Sequence, residues 1–308
     1  MNIQGKVAVI TGAASGIGRA TAIAMAKEGA DLVLADINDA RLEETRRGIA
    51  GLGRKAVAVR TDVSKLEDVQ NLFNRSISEM GRVDILMNNA GVHMWGPVEK
   101  IPIADWEWII AINLWSVIYG IKVFLPHMVE RGNGHIVNTA SMAGLVAAEP
   151  SIPYATTKFA VVGLSQGLAV YLRPKGIGVS VLCPGFVATN IAENERLIPF
   201  EDGLDGARQD FFRTLSQGDW SRLQVLPAGV VSPEEVAEKV IRAIKENTFL
   251  IYTHSGHKET VMQLAADPEV TISQFALFQV VWDSLIQGAP IEIPGLEGGP
   301  PPSAPATS

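Results

Sequence analysis

The chain has little of what disulfide-bonded, thiolate-metal and membrane-spanning proteins need. Cys183 is its only cysteine, which excludes an intrachain disulfide and a thiolate metal cluster and indicates a reducing compartment. We expect this residue to be a small buried side chain at a strand end. No uninterrupted run of 18 apolar residues occurs, and residues 1–10 show no basic leader with an apolar run and cleavage site. We therefore expect a cytoplasmic protein without a membrane partner.

Blocks of basic residues are absent as well. Lysine and arginine number 26 against 33 aspartates and glutamates, which gives a formal net charge of −7. Because no basic stretch could follow a phosphate backbone, we expect no nucleic-acid partner. The chain is rich instead in hydrophobic residues, at 47%, and in glycine, with 29 residues. This composition suits a large core with many tight turns between strands and helices.

Short β-branched runs alternate with longer helical segments through the first 185 residues. Most of these runs are apolar throughout, as expected for strands that are covered on both faces. Such alternation indicates right-handed crossovers and predicts an α/β fold, a doubly wound parallel β-sheet with helices on both faces. The predicted strands are Val7–Thr11, Leu32–Ala35, Ala56–Arg60, Ile85–Asn88, His135–Thr139 and Val179–Cys183.

The alternation stops beyond residue 185. Residues 186–231 are too long for a plain connection, so we predict a substrate-binding insert that acts as a lid or as part of an interface. We assign residues 1–288 to a single nucleotide-binding domain. The tail, 289–308, holds six prolines in twenty residues and is predicted to be disordered. Helices are predicted at 105–131, 154–173, 233–246 and 268–287, and a further strand at 249–252.

A glycine-rich turn follows the first predicted strand. Gly12, Gly16 and Gly18 allow a sharp turn and a close approach of the backbone to a ligand, and the helix that follows presents free N–H groups to a diphosphate. Asp36, at the end of the second strand, can accept hydrogen bonds from both hydroxyls of an adenosine ribose and would repel a 2′-phosphate. NAD is therefore favoured over NADP. Arg19 is an opposing signal, because a basic group could bind that phosphate.

Tyr154 and Lys158 lie one helical turn apart, so their side chains can meet over the same spot. Removal of a hydride from a secondary alcohol requires a base that faces the hydroxyl oxygen. A free tyrosine is a poor base at neutral pH, but a neighbouring ammonium favours the phenolate and lowers the pKa of a phenol. The pair predicts a general acid/base, and a solvated helix face is the alternative that the pair alone leaves open.

These motifs together resemble the short-chain dehydrogenase/reductase family. The match covers residues 3–190 closely and 232–253 more loosely. It includes Thr11-Gly12-x-x-x-Gly16-x-Gly18, Asp36, Asp62, Asn88-Asn89-Ala90-Gly91, Asn113, Ser141, Tyr154-x-x-x-Lys158 and Pro184-Gly185 followed by Thr189.

The resemblance implies a Rossmann-type fold and an NAD(P)-dependent alcohol dehydrogenase or ketone reductase. It implies that Asn113, Ser141, Tyr154 and Lys158 form a catalytic tetrad. Ser141 would bind the substrate oxygen, and Asn113 would hold a water that links Lys158 to solvent. The implied cofactor contacts are Gly12, Ser15, Gly16, Ile17, Gly18, Asp36, Asp62, Val63, Asn89, Ala90, Gly91, Tyr154, Lys158, Pro184, Gly185, Val187 and Thr189.

Substrate choice depends on the residues around the nicotinamide. His93-Met94-Trp95 and the insert are mostly apolar and aromatic, which predicts a bulky hydrophobic or aromatic secondary alcohol and its ketone. Family analogy also suggests a homodimer or homotetramer that assembles through the two long helices, where Trp106, Trp108 and Trp115 would contribute. The predicted substrate contacts are Met94, Trp95, Ser141, Met142, Tyr154 and Phe186.

Several alternatives stay open. The chain could be an NADP-dependent carbonyl reductase, a nucleotide-binding scaffold without catalysis, or an isomerase, epimerase or dehydratase that uses the same pocket. A hydrolase built on Ser141 and His135 is disfavoured, because no G-x-S-x-G elbow surrounds the serine. His254-x-x-His257 with Glu259 has the spacing of metal ligands, but we interpret it as a solvated loop and expect no metal.

Overall fold

A computed structural model of the chain describes residues 1–147, 151–225 and 229–289. Most of the tail for which disorder is predicted, residues 290–308, lies outside the described residues. Residues 226–228 of the predicted insert do as well.

A seven-stranded parallel β-sheet forms the centre of the molecule. Its order is β3-β2-β1-β4-β6-β7-β9, while β5 and β8 pair with each other in a separate two-stranded sheet. All six strands predicted in the first 185 residues are present, and the doubly wound Rossmann-type fold is confirmed. The strands are β1 (Val7–Thr11), β2 (Asp31–Asp36), β3 (Ala56–Arg60), β4 (Ile85–Asn88), β5 (Met94–Trp95), β6 (Gly134–Thr139), β7 (Ile177–Cys183), β8 (Arg196–Leu197) and β9 (Leu250–Tyr252).

Helices cover both faces of the sheet. The helices predicted at 233–246 and 268–287 are confirmed at those bounds. Ser232 is the N-cap of the first of these helices and forms a capping box with Glu235. The helix at His257–Ala266 was not predicted. The helices are α1 (Gly16–Lys27), α2 (Asp39–Gly51), α3 (Leu66–Met80), α4 (Ile103–Ile110), α5 (Ser116–Arg131), α6 (Ile152–Leu172), α7 (Asp205–Ser216), α8 (Pro233–Glu246), α9 (His257–Ala266) and α10 (Pro268–Gln287).

Alternate residues of a strand build two separate cores. In β1, Ile10 packs into the cluster that holds Met25 of α1. Val9 faces the other way, into the cluster that holds Leu72 of α3 and Phe124 of α5. A strand covered on both faces is mostly apolar. All five residues of β1 are buried, and the first four of them are apolar. The sheet is therefore a rigid base whose carboxyl edge can hold side chains in fixed positions.

The helix predicted at 105–131 is interrupted. Between α4 and α5 the chain forms a π-helical segment, Ala111–Trp115, with Asn113 buried at its centre. This segment was not predicted from the sequence. Such π segments occur frequently at functional sites because they turn a side chain out of its regular direction.

Ile103–Arg131 is also the one described helical segment long and apolar enough to cross a membrane. Its 18-residue window has a mean hydropathy of 1.7 and is 33% buried. The prediction of no membrane partner rests on the absence of 18 consecutive apolar residues, which is a stricter criterion than the mean hydropathy of a helix. Phe124 and Met128 of α5 pack in the core beneath the sheet, and core helices pass the same test of length and composition.

Candidate active site

The carboxyl ends of the central strands open into one cavity of about 960 Å³. Strand β1 supplies Gly12 directly after its last residue, and β2 ends at Asp36. Strand β6 is followed by Ser141, and β7 is followed by Pro184. In doubly wound sheets, ligands bind outside the carboxyl ends of the strands, where neighbouring connections leave in opposite directions. The fold therefore places the predicted cofactor and catalytic residues along the same cleft.

The glycine turn after β1 brings its backbone close to its neighbours. Gly12 has a φ of 67°, and a Cβ there would lie 3.0 Å from Ala90 Cα. A Cβ on Gly18 would lie 2.1 Å from the carbonyl oxygen of Gly12, so Gly18 serves the close packing of α1 against the turn. Gly12, Ser15, Gly16 and Ile17 line the cavity, whereas Gly18 does not. The first turn of α1 thus borders the cleft with its N–H groups.

Asp36 is held at the edge of this cleft. Its Oδ2 accepts a hydrogen bond from Ala14 N at 3.1 Å, and its Oδ1 accepts one from Asn38 N at 3.0 Å. These two bonds fix the carboxylate against the glycine turn. Asp62 and Val63, at the end of β3, line the same end of the cavity. The arrangement matches what a ribose with two free hydroxyls needs.

Asn89 joins the ends of three strands. Its backbone N–H donates to Thr11 Oγ1 at 2.9 Å, and its Nδ2 donates to the Thr11 carbonyl at 3.0 Å. Thr139 Oγ1 donates to Asn89 Oδ1 at 3.2 Å. The amide therefore ties β1, β4 and β6 together at the cavity floor, beside Ala90 and Gly91, which also line it.

Lys158 and Tyr154 lie side by side in the cavity wall. Lys158 Nζ is 5.3 Å from the centroid of the Tyr154 ring and donates to the Thr139 carbonyl at 3.2 Å. Only 3% of Lys158 and 9% of Tyr154 are exposed. Burial lowers the pKa of Lys158 to about 8, against an opposing effect of Cys183. The two side chains therefore lie in a cavity wall, and the alternative of a solvated helix face does not hold for this pair.

Ser141 begins the turn after β6. Its Oγ accepts a hydrogen bond from Ala143 N at 3.1 Å and lies 3.5 Å from the Pro184 carbonyl. A side chain that is already held by backbone groups needs little reordering to meet a substrate oxygen. Ser141, Met142 and Tyr154 all line the cavity.

Asn113 lies behind the cavity wall. Its Oδ1 accepts from Val92 N at 2.8 Å, and its Nδ2 donates to Val92 O at 2.9 Å. A Cβ on Gly91 would lie 3.3 Å from Asn113 Oδ1 and 3.4 Å from Lys158 Nζ, so the amide and the amine converge behind that glycine. The predicted water-holding role would use the remaining acceptor capacity of Oδ1 and stays a prediction.

The predicted substrate residues separate into two groups. Trp95 and Phe186 line the cavity with an aromatic wall, in which the rings of Trp95 and Trp282 lie 5.0 Å apart. Met94 does not line the cavity. It is fully buried in a cluster with Ile109, because successive residues of a strand point to opposite faces.

Two polar pairs at the cavity were not predicted. Glu195 of the insert lies 2.7 Å from Nδ1 of His93, whose ring is 4.6 Å from the Tyr154 ring. Glu193 binds Arg41 at the opening beside Asp36, with Arg41 Nη1 to Glu193 Oε2 at 2.6 Å. Each pair joins residues more than 100 positions apart, and no local sequence pattern signals such a contact.

The interpretation of His254-x-x-His257 as a solvated loop was wrong. His254 is only 8% exposed, and His257 begins α9 and lines the cavity. The two rings lie 4.8 Å apart, and both pack against Gly185, where a Cβ would lie 2.6 Å from His257 Cε1. The segment folds inward because the glycine leaves room for it. Among the described residues, no group of three or more His, Cys, Asp and Glu side chains could hold a metal ion.

The sequence model of the short chain dehydrogenase family matches residues 6–197. The chain therefore belongs to this family, as its motifs indicated, and members of the family use NAD(H) or NADP(H).

Curated relatives and solved structures extend the likeness beyond those residues. C alpha-dehydrogenase from Sphingobium sp. is 31% identical over 293 residues, which cover 94% of this chain and 89% of that protein. 3beta-hydroxysteroid dehydrogenase 2 from Eggerthella lenta is 34% identical over 238 residues, which cover 75% of this chain and 90% of that protein. A short chain dehydrogenase/reductase from Burkholderia phymatum, solved in complex with NAD, has a TM-score of 0.77 and 36% identity, with 88% of this chain and 96% of that chain covered.

The residues of the cleft fit a dinucleotide. Gly12 and Gly16 both have positive φ, and both line the cavity beside the N-terminus of α1. Asp36 lies at one end of the cleft and the pair of Tyr154 and Lys158 at the other. A diphosphate at the helix N-terminus would leave a ribose at the carboxylate and a nicotinamide beside the phenol.

Proposed function

We propose that the protein is an NAD-dependent oxidoreductase that interconverts a bulky hydrophobic or aromatic secondary alcohol and its ketone. The observation that carries the proposal is the buried pair of Tyr154 and Lys158 in the wall of a cavity that Ser141 also lines. A phenol, a cationic amine and a hydroxyl at one place are the groups that alcohol oxidation needs for its proton.

The mechanism assigns one task to each side chain. When bound, the dinucleotide supplies the acceptor or donor of the hydride. In the direction of oxidation, the Tyr154 oxygen takes the hydroxyl proton as the carbon–hydrogen bond gives up its electron pair, and a carbonyl double bond forms. Ser141 holds the substrate oxygen, and the charge of Lys158 favours the phenolate. In reduction, Tyr154 returns the proton to the oxygen.

The preference for NAD over NADP is supported by two features of the cleft. The carboxylate of Asp36 lies where a 2′-phosphate would meet it. Arg41, on α2 beside it, is engaged by Glu193 and is therefore not free for a phosphate. The structural relative from Burkholderia phymatum was also solved with NAD.

The aromatic wall supports a bulky hydrophobic substrate. The ring of Trp95 contacts those of Phe212 and Trp282 edge to face, with centroids 5.4 Å and 5.0 Å away, and all three line the cavity. A pocket of this lining gains most from burying apolar surface. The names of two relatives, a hydroxysteroid dehydrogenase and C alpha-dehydrogenase, agree with a secondary alcohol of that kind.

The experiment is a screen of aromatic, alicyclic and steroid alcohols with NAD⁺ and NADP⁺, followed by absorbance at 340 nm. We expect NADH formation with a hydrophobic secondary alcohol. Tyr154→Phe should lower kcat/KM by about 10²- to 10⁴-fold and leave the dissociation constant of NADH, measured by fluorescence, within about 3-fold.

Tyr171→Phe is the matched control for this variant. Tyr171 and Lys175 form a second Tyr-x-x-x-Lys, with Nζ 4.8 Å from the ring, but Tyr171 is 61% exposed on the surface. Its substitution should leave kcat/KM and the dissociation constant of NADH unchanged. A fully active Tyr154→Phe variant refutes the mechanism. Faster turnover with NADP⁺ would favour the carbonyl reductase, and binding of NAD⁺ without any turnover would favour the scaffold.

We also propose that the two long helices assemble the chain into a homodimer or homotetramer. Apolar side chains are exposed along these helices. Examples are Trp115, directly before α5, and Phe159 and Val170 on α6, with exposed fractions of 47%, 44% and 76%. Large apolar side chains exposed on long helices are candidates for contacts between subunits. Size-exclusion chromatography with light scattering tests the proposal, and a monomer at micromolar concentration would contradict it.

A further inference from the structure

His257 contributes an imidazole to the cavity that the mechanism does not use. It is the first residue of α9, and its ring lies on Gly185, the residue after Pro184. The carbonyl of Pro184 is in turn the neighbour of Ser141 Oγ at 3.5 Å. His257 and Ser141 therefore border the same cavity on the two sides of the Pro184-Gly185 segment.

The two ring nitrogens of His257 are in different situations. Nδ1 is buried and has no hydrogen-bond partner among the described residues. Cε1 packs on Gly185. Nε2, unlike Nδ1, is not a buried atom without a partner, and since the residue lines the cavity, we assign Nε2 as the nitrogen that faces it. An unpaired buried donor is rarer in proteins than an unpaired buried acceptor. The proton of a neutral imidazole therefore belongs on Nε2, which makes His257 a donor toward the cavity.

The surroundings keep this imidazole neutral. Burial, His254 and Lys239 together lower the pKa of His257 to about 4. His254 lies behind it with ring centroids 4.8 Å apart, and Nδ1 of His254 is 2.8 Å from Thr253 Oγ1. Thr253 Oγ1 also accepts from Gly185 N at 3.0 Å, which ties His254 to the segment that carries Gly185. The ring of His257 is thus fixed by packing on Gly185 and His254.

We propose that His257 is a specificity-determining residue whose Nε2–H binds an acceptor oxygen of the substrate at a distance from the reacting carbinol. The inference rests on the proposed function and narrows its substrate. Beside the aromatic rings of Trp95, Phe186 and Trp282, one fixed donor favours a hydrophobic alcohol that carries an ether, carbonyl or second hydroxyl oxygen. A purely hydrocarbon alcohol of the same shape leaves that donor unpaired, which costs binding energy.

The test uses matched pairs of ketones that differ by one oxygen. The probes are the ortho, meta and para isomers of methoxyacetophenone, each compared with the ethylacetophenone of the same substitution. Binding to the enzyme with NAD⁺ present, a complex that cannot react, is measured by tryptophan fluorescence, since Trp95 and Trp282 line the cavity. Turnover of the corresponding alcohols is measured at 340 nm. We expect one methoxy isomer to bind about 3- to 10-fold more tightly than its ethyl partner.

Three variants identify the donor. His257→Phe keeps an aromatic ring on Gly185 and should abolish the preference, while the ethyl ketones bind within about 3-fold of their original strength. His257→Gln keeps an N–H donor and should restore part of the preference. Thr260→Val is the matched control. Thr260 lies on the same helix and lines the cavity, but its hydroxyl already donates to Gly256 O at 3.0 Å, so its loss should leave the preference unchanged.

The outcomes separate this inference from the proposed function. Equal binding of all methoxy and ethyl partners by the unaltered enzyme overturns the role of His257, as does a preference that survives in His257→Phe. Turnover of the ethyl alcohols in those cases leaves the dehydrogenase function standing. Absence of both ketone binding and turnover, in a protein that binds NADH, overturns the function and the inference together.

Discussion

The two ends of the cavity are built on different principles. The half that holds Gly12, Asp36 and Asn89 rests on parallel strands, and its polar atoms are held by the backbone of neighbouring strands. The substrate half is built from the insert and the last helix, which contact each other through aromatic rings and the ion pair of Arg208 with Asp283. Chemistry that is common to a family belongs on the rigid scaffold, and selectivity belongs on elements that can change without disturbing it.

Arg208 of α7 is the main polar contact inside the substrate half. Its side chain is 1% exposed and binds Asp202 at 2.5 Å, Asp205 at 3.3 Å and Asp283 of α10 at 3.5 Å. Its guanidinium also lies 4.0 Å from the ring centroid of Phe200. The insert is therefore attached to the last helix by a buried cation, whereas the nucleotide half has a continuous sheet.

The largest expected effect comes from Lys158→Met, which removes the buried amine of the rigid half. We expect kcat/KM to fall on the order of 10³-fold, because the tyrosine loses the charge that favours its phenolate. The free energy of unfolding should not fall, because a buried ammonium costs more than a methionine of similar volume. Lys175→Met, at the exposed second Tyr-x-x-x-Lys, should leave turnover unchanged. Unaltered catalysis in Lys158→Met would remove the basis of the proposed mechanism.

The same variant gives a pH signature in the dinucleotide-free protein. The folded-state pKa of Lys158, about 8, lies below its ordinary value. Between pH 8 and about 10.5, the unfolded chain therefore binds more protons than the folded one, and this residue makes stability rise with pH. Urea unfolding at pH 7.5 and pH 10 should show a rise for the unaltered chain, relative to Lys158→Met, of about 1–3 kcal/mol. An identical pH dependence of the two proteins would mean that the amine is not desolvated.

A smaller and local effect is expected from Arg208→Met in the substrate half. Loss of the cation removes the partner that Asp202, Asp205 and Asp283 share, so we expect the insert to lose about 1–3 kcal/mol of local stability. Limited proteolysis should cut within residues 196–223 at a higher rate, and KM for the alcohol should rise about 10-fold. Arg213→Met is the control, because the ion pair of Arg213 with Asp210 is exposed. If the affinity for NADH falls as much as the affinity for the alcohol, the nucleotide half and the substrate half of the cavity are not independent.

The rigid half is also the half that the sequence predicted well. Strands that are apolar at every position, glycines at fixed spacing and an acidic residue at a strand end are local patterns, and each has a direct physical cause. They placed Gly12, Asp36 and Tyr154 at one cleft without any knowledge of contacts. Gly18, Asn113 and Met94, which were also predicted as site residues, do not line the cavity.

The substrate half was predicted only as an insert of unknown shape. The pairs of Glu195 with His93 and of Glu193 with Arg41 depend on the path of the insert across the cavity. Hydrophobic periodicity in the sequence does not predict that path. His257 was misplaced for a related reason, because its burial depends on Gly185, 72 positions away. Tertiary contacts of this kind decide burial independently of local composition.

The smallest expected effect lies where the two halves meet, at the pair of Arg41 and Glu193. The guanidinium donates twice, with Nη1 to Oε2 at 2.6 Å and Nη2 to Oε1 at 3.2 Å. Because Arg41 is 43% exposed, the pair should contribute less than about 1 kcal/mol. Glu193→Gln frees the guanidinium for a 2′-phosphate, so we expect kcat/KM with NADP⁺ to rise about 2- to 5-fold relative to NAD⁺, with Asp36 still limiting the gain.

The double variant Arg41→Met with Glu193→Gln should lose that gain, which identifies the arginine as its source. The hydrogen bond from Arg41 lowers the pKa of Glu193, so the contribution of the pair is present above the ordinary pKa of a glutamate and is lost as the pH falls below it. High salt should reduce the difference between the single variant and the unaltered chain, because exposed charges are screened. If Glu193→Gln leaves the cofactor ratio unchanged at low salt, the insert has no part in cofactor choice and the two halves of the cavity act independently.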